Sequence, residues 1–168
     1  MREEQTGGLP ALLLKVAFQL SLLGNGPRAR IRRMDPEIGC SDLYRILAIV
    51  GIEGPTESWA RFAKIVAILT PNKETPEERA VHNGGARLGG IFFENGVSEL
   101  RLNRFCSAPL PQRRDMLERM ARGLKTRNGA DLVAIGLLLL SETPDTVRRV
   151  ARDYFAAEAK SNLKETSE

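Results

Sequence analysis

Apolar residues recur along this chain at three- and four-residue spacings, the repeat that lines one face of an α-helix. Leu9, Leu12, Leu13, Val16, Leu20 and Leu23 set the pattern, and Gly24-Asn25-Gly26 ends it. Pro27 suits the opening of a second helix, where its missing N–H costs nothing. Ser41 is placed to cap a helix through Tyr44, Leu47 and Val50. After the break at Gly54-Pro55, Thr56 caps another through Trp59, Phe62, Ile65, Val66 and Leu69.

Residues 70–85 interrupt this regularity. They run Thr70-Pro71-Asn72-Lys73-Glu74, then a short helix whose capping box pairs Thr75 with Glu78, then Gly84-Gly85. Helical spacing resumes over 86–94, and Asn95-Gly96 makes a turn. Ser98 caps a helix through Leu102 and Phe105, and Pro109 and Pro111 open one running to about residue 126. Asp131 opens an apolar segment to Leu140, and Thr143-Pro144 starts a last helix through Val147, Val150, Tyr154 and Phe155. No period-2 run longer than four residues and no fixed repeat competes. The expectation is an all-α fold: a bundle of about eight helices over 1–168, in two packed lobes. The sub-bundles are expected at about 9–70 and 86–160, with a mobile loop at 70–85 and a frayed tail at 161–168.

At 168 residues and 42% hydrophobic, the chain is long enough to bury a core of its own. Neither apolar run, 9–23 or 132–140, reaches the roughly 20 residues of a spanning helix. The start Arg2-Glu3-Glu4 does not read as a signal peptide. No membrane association and a cytoplasmic location are therefore expected.

Catalytic chemistry finds little footing. His82 is the single imidazole, in a loop beside Asn83-Gly84, where a solvated histidine is the ordinary outcome. Cys40 and Cys106 are far apart and lack further soft ligands, so no metal and no cofactor are expected. Glu3-Glu4 and Glu77-Glu78 lie near helix starts, where acids favour the dipole. The Gly84-Gly85 and Gly89-Gly90 pairs lack the preceding strand and following Lys-Ser/Thr of a phosphate loop. The expectation is no enzyme and no small-molecule substrate.

Charge changes the picture. The net charge is only +4, yet residues 28–33 sum to +4, 34–100 to −4 and 101–127 to +6. Nineteen of the 25 basic residues are arginine, which forks onto phosphate and stacks on bases better than lysine. On a helix over 111–126, Arg114, Arg119, Arg122 and Lys125 oppose Met116, Leu117, Met120 and Leu124. On the last helix Arg148, Arg149 and Arg152 oppose Val147, Val150, Tyr154 and Phe155, which are expected to face inward, and Arg101 and Arg104 are i, i+3 neighbours. A solvated face normally interleaves acids; these faces suit a phosphate backbone. Such contacts give affinity without base selectivity. At 5% aromatic, the chain offers no stacking platform for bases. Arg28, Arg30, Arg32 and Arg33 form the remaining cluster.

Several segments are familiar in order. Gly26-Pro27-Arg28-Ala29-Arg30-Ile31-Arg32-Arg33 resembles the G-x-x-A-x-[IL]-R-R segment of the CasB family, the small subunit of the type I-E CRISPR surveillance complex, Cascade. Leu43-Tyr44-Arg45-Ile46-Leu47 is similar to its F/Y-R-L-L helix, and residues 59–69 to its W-x-x-V-A-x-L helix. Leu88-Gly89 and then Ser98-Glu99-Leu100-Arg101-Leu102 resemble its L-G…S-E-x-R-[LI] stretch. Residues 148–155 resemble its closing R-x-W-A-x-D-Y-Y, with Val150 in place of tryptophan. The resemblance covers about residues 12–157.

The resemblance implies a non-catalytic, two-lobed helical subunit. Its partners would be the backbone and large subunits of Cascade and a second copy of itself. With them it would help hold the R-loop formed on a crRNA-guided DNA target, chiefly the displaced single strand. Matched position by position, Arg32, Arg33 and Arg101 would carry strand contacts, with Arg119, Arg148 and Arg149 matching more loosely. Because R-loop formation is a near-balanced exchange, modest backbone contacts suffice to tip it. The rival readings are a helix-turn-helix-like duplex-binding regulator, for which Pro109-Leu110-Pro111 makes a poor turn, and a purely structural scaffold.

Overall fold

The computed structural model describes residues 4–54 and 56–167, with side chains from residue 8 onward. Pro55, half of the expected Gly54-Pro55 break, lies outside them. The fold is all-α, with nine helices among the described residues. They are α1 (Glu4–Leu22), α2 (Asn25–Arg33), α3 (Ser41–Val50), α4 (Thr56–Leu69), α5 (Leu88–Glu94), α6 (Glu99–Ser107), α7 (Leu110–Ala121), α8 (Leu132–Leu140) and α9 (Pro144–Glu165). No described helix is long and apolar enough to cross a membrane.

The capping residues read from sequence form their bonds at three starts. Ser98 accepts from the Arg101 N–H, Asp131 from Ala134 and Thr143 from Thr146. Ser41 is instead the first helical residue, behind Cys40 at the cap. Thr75 and Glu78 make their reciprocal bonds, but only a hydrogen-bonded turn follows, not a helix.

The expected lobes share one core. α4 is buried almost all round, because Ala60, Ala63 and Ala67 let neighbours approach between Trp59, Phe62, Ile65 and Val66. It packs against α1, α2, α7 and α8. Uncharged α8 inserts between α1 and α4, joining Ile135, Leu138 and Leu139 to Leu13, Val16 and Leu20. Gly136 permits this approach: a Cβ there would stand 2.9 Å from Leu13 Cγ and closer still to its methyls. α5 and α9 meet more tightly. Gly89 lies against the α9 backbone, and the Tyr154 hydroxyl donates to the Val97 carbonyl at 2.6 Å.

Residues 70–85, expected as a mobile loop, are fastened at both ends. Arg79 donates to the Ser21 and Leu23 carbonyls at the end of α1 (2.7 and 2.6 Å), and to those of Lys73 and Glu74 within the loop. Further on, the Ala130 N–H donates to Val81 O and the Asn83 N–H to Ala130 O, both at 2.9 Å. The tail also differs from expectation: α9 remains helical to Glu165, through most of the stretch expected to fray. Since charge-assisted bonds contribute more than neutral ones, Arg79→Ala should destabilise the protein by about 2 kcal/mol. Amide exchange in 70–80 should rise first; unchanged protection there would show that Arg79 does not hold the loop.

Candidate nucleic-acid interface

The arginine cluster of α2 does not form one surface. At 100° per residue Arg28 and Arg32 share a face, and that face turns inward beside Ile31. Arg28 is 1% exposed, donating to the Pro71 carbonyl and to Asn25 Oδ1. Burial lowers its pKa, and the like charges of Arg79 and Arg32 lower it further. Arg32 caps the C-terminus of α4, with Nε on Ala67 O at 2.8 Å and Nη2 on Asn72 Oδ1 at 3.1 Å. A cation there meets the negative end of the helix dipole. Arg30 pairs with Asp42 at 2.7 Å and holds that buried carboxyl below the usual carboxylate range. Only Arg33 of the four is exposed with no ion-pair partner among the described residues. Arg28 and Arg32, expected on the strand, are thus committed to the interior and to a helix end.

α7 also differs from expectation. It stops at Ala121, so Lys125 belongs to the following turn and not to a helical face. Arg114 lies toward α8 and donates to Leu139 O at 2.6 Å, which removes it from the outer face. Asp115 and Glu118 turn toward α4, where Arg61 reaches Asp115 at 2.6 Å and Lys64 reaches Glu118 at 2.8 Å. What remains outward is Arg119 on α7 and Arg122 at its C-cap, the latter 3.9 Å from Glu118. Arg113, not singled out by its pattern, is buried and donates to the Phe105, Cys106 and Ala108 carbonyls while pairing with Glu142.

Arg101 and Arg104 on α6, and Arg148 and Arg152 on α9, are exposed and unpaired among the described residues. Arg149 pairs with Asp145 at 3.0 Å. These residues keep the outward placement expected of them, but on separate helices.

The structure gathers a different set of cations. A groove of about 850 Å³ runs between α5, the turn at 125–129 and the C-terminal half of α9. Arg87, Lys125, Arg127, Lys160 and Lys164 line it against only two carboxylates, Glu94 and Asp153. Its turn wall is pinned: Asn95 accepts from the Lys125 N–H at 2.8 Å and donates to Lys125 O, while Asn83 donates to Asn128 O at 2.7 Å. A smaller cavity of about 80 Å³ continues the groove, shares Arg87 and Asp153 with it, and adds Arg149. Along α9, Arg149, Asp153, Lys160 and Lys164 follow one side of the helix over about 22 Å, a reach that spans several phosphates. Phe93 also lines the groove, but its ring packs edge-on against Tyr154 at 5.5 Å.

Of the thirteen residues expected at the interface, only Lys125 and Arg149 reach this groove system. Arg87, Arg127, Lys160 and Lys164 escaped notice because they come from separate segments. One signal was present: at 100° per residue Lys160 and Lys164 fall on the same side of the last helix as Arg149 and Asp153, and Lys164 lies in the stretch expected to fray.

Other titratable groups lie apart. His82 Nδ1 accepts from the Leu132 N–H at 3.3 Å. Cys40 and Cys106 are free thiols, and burial raises the Cys106 pKa, which disfavours its thiolate. Among the described residues no group of three or more His, Cys, Asp or Glu is placed to hold a metal ion. Comparison with protein-family models, curated proteins and solved structures finds no match to this chain.

Proposed function

We propose that this chain is a non-catalytic nucleic-acid-binding subunit that grips a single strand by its sugar–phosphate backbone. The observation that carries the reading is the groove between α5 and α9, where five cations face two carboxylates. Each phosphate neutralised there releases condensed counterions, which drives binding irrespective of sequence. The exposed arginines Arg101, Arg104, Arg119, Arg148 and Arg152 add an attractive field around it. Together with the ordered segments that resemble CasB, this favours a cytoplasmic role in a type I-E CRISPR complex. Beside the backbone and large subunits, the chain would stabilise the displaced strand of the R-loop during antiviral defence.

Strand binding is tested by titrating the protein with two unrelated single strands and one duplex across salt. Affinity for the two strands should agree within about threefold, and log K should fall against log salt by about 0.7 per phosphate engaged. A flat salt response would favour the scaffold reading. A duplex preference with strong sequence discrimination would favour a helix-turn-helix-like regulator; either result overturns the proposal.

A further inference from the structure

We propose that the small cavity continuing the groove receives one unstacked cytosine of the bound strand. This rests on the strand reading and adds to it the single point at which a base is read. The cavity, of about 80 Å³, lies between α8 and α9 and shares Arg87 and Asp153 with the groove. A strand held along α9 by its phosphates therefore passes the opening. Charge selects the class of ligand. Two guanidiniums, Arg87 and Arg149, face two carboxylates, Asp131 and Asp153, whereas the groove has an excess of cations. A phosphate gains little from a charge-balanced site. A neutral edge that carries donors and acceptors side by side, as a nucleobase does, pairs with both signs. The walls agree: Val133, Leu137, Leu138 and Val150 are aliphatic and suit the faces of a ring.

Size and a buried acid select the base. A closed cavity that takes up benzene measures about 150 Å³. In this smaller, open one a ring enters by its edge, and a pyrimidine fits where a purine does not. Asp131 is 9% exposed. Its Oδ1 accepts from the Ala134 N–H at 3.1 Å, and its Oδ2 has no hydrogen-bond partner among the described residues. An ionised carboxylate only accepts, so the free oxygen calls for a donor. Cytosine supplies one at N4 and leaves its N3 and O2 acceptors for the arginines; thymine sets the O4 acceptor in the place of N4. The acid is also held in position: the Asp131 N–H donates to the Ala86 carbonyl at 2.9 Å, beside Arg87. A single strand yields a base at low cost, because no pair has to open.

The test titrates the full chain with oligo-dC, oligo-dT and oligo-dA of about ten nucleotides at neutral pH and low salt. Oligo-dC should bind at least ~10-fold more tightly than oligo-dT, and oligo-dA no better than oligo-dT. Mixed-sequence strands each supply a cytosine, so they still agree with one another. Asp131→Asn keeps an oxygen for the α8 cap but puts an amide donor in place of Oδ2. Its preference should therefore pass to oligo-dT, whose O4 accepts. Ala134→Leu, which fills the cavity from the α8 wall, should abolish the preference and leave the salt slope unchanged. Equal affinity of the wild type for all three, with a steep salt slope, overturns the cytosine site and leaves the strand reading standing. Binding to none of them overturns both. A preference for oligo-dA, or one for oligo-dC that survives in both variants, overturns the site as well.

Discussion

Neutralising the groove with Lys125→Gln, Arg127→Gln, Lys160→Gln and Lys164→Gln should weaken single-strand binding at least ~10-fold at low salt and flatten its salt dependence. All four side chains line one groove, and none of them makes an ion pair among the described residues. Each lost phosphate contact removes about 0.7 from the slope of log K against log salt, so four make it about 2.8 shallower. Stability should stay within about 0.5 kcal/mol, since these are surface side chains away from cores. An equal number of neutralisations at Arg33, Arg101, Arg104 and Arg119 should cost less, because those residues act as a diffuse field from separate helices. In a reconstituted surveillance complex, the groove variant should lower R-loop yield while leaving guide binding intact. A folded groove variant that keeps its affinity and slope would falsify the assignment. The reverse ranking of the two variants would move the strand onto the arginine faces.

Gly89→Ala should remove about 3 kcal/mol of stability or more, while Gly90→Ala, one residue away, should be neutral or slightly stabilising. A Cβ at Gly89 would stand 2.6 Å from the Tyr154 backbone nitrogen and closer still to the Val150 carbonyl oxygen. Neither atom can turn aside as a side chain would, so α5 and α9 would have to part. Parting strains the Tyr154–Val97 hydrogen bond and the edge-on packing of Phe93 on Tyr154. At Gly90 a Cβ meets nothing within 4 Å, and alanine removes the entropic cost of glycine in a helix. For a domain of this length, 3 kcal/mol corresponds to a melting temperature lower by about 6–12 °C. Calorimetry on the two variants decides it, and equal melting temperatures would show that the helices are not in this close contact. Because α5 and α9 also wall the groove, Gly89→Ala should lose strand affinity as well.

The elements and most of their punctuation were legible in the sequence. Helical spacing and caps such as Ser98, Asp131 and Thr143 depend on neighbours within four residues, and such local geometry survives into the folded protein. Where the local signal misled, a distant partner overruled it. The 70–85 stretch reads as loose, but Arg79 reaches carbonyls more than fifty residues earlier in the chain. The 161–168 tail reads as frayed, but α9 continues to Glu165 and sets Lys164 along the groove.

Charge was the harder signal, because arginine serves two purposes that composition does not separate. Its long stem and five donors suit a phosphate, and they equally suit the unsatisfied carbonyls at a helix end. Arg32 on α4, Arg79 on α1, Arg113 on α6 and Arg114 on α8 all serve helix ends. The helical period alone separates Arg28 and Arg32 from Arg30 and Arg33, but not which face meets the core. The sequence by itself determined an all-α chain with excess arginine in particular segments, since periodicity and charge are properties of near neighbours. Tertiary structure alone decided which cations remain free and which converge on one groove. That outcome depends on α5, the 125–129 turn and α9 meeting across separations of thirty residues and more, held by a glycine contact and asparagine bonds.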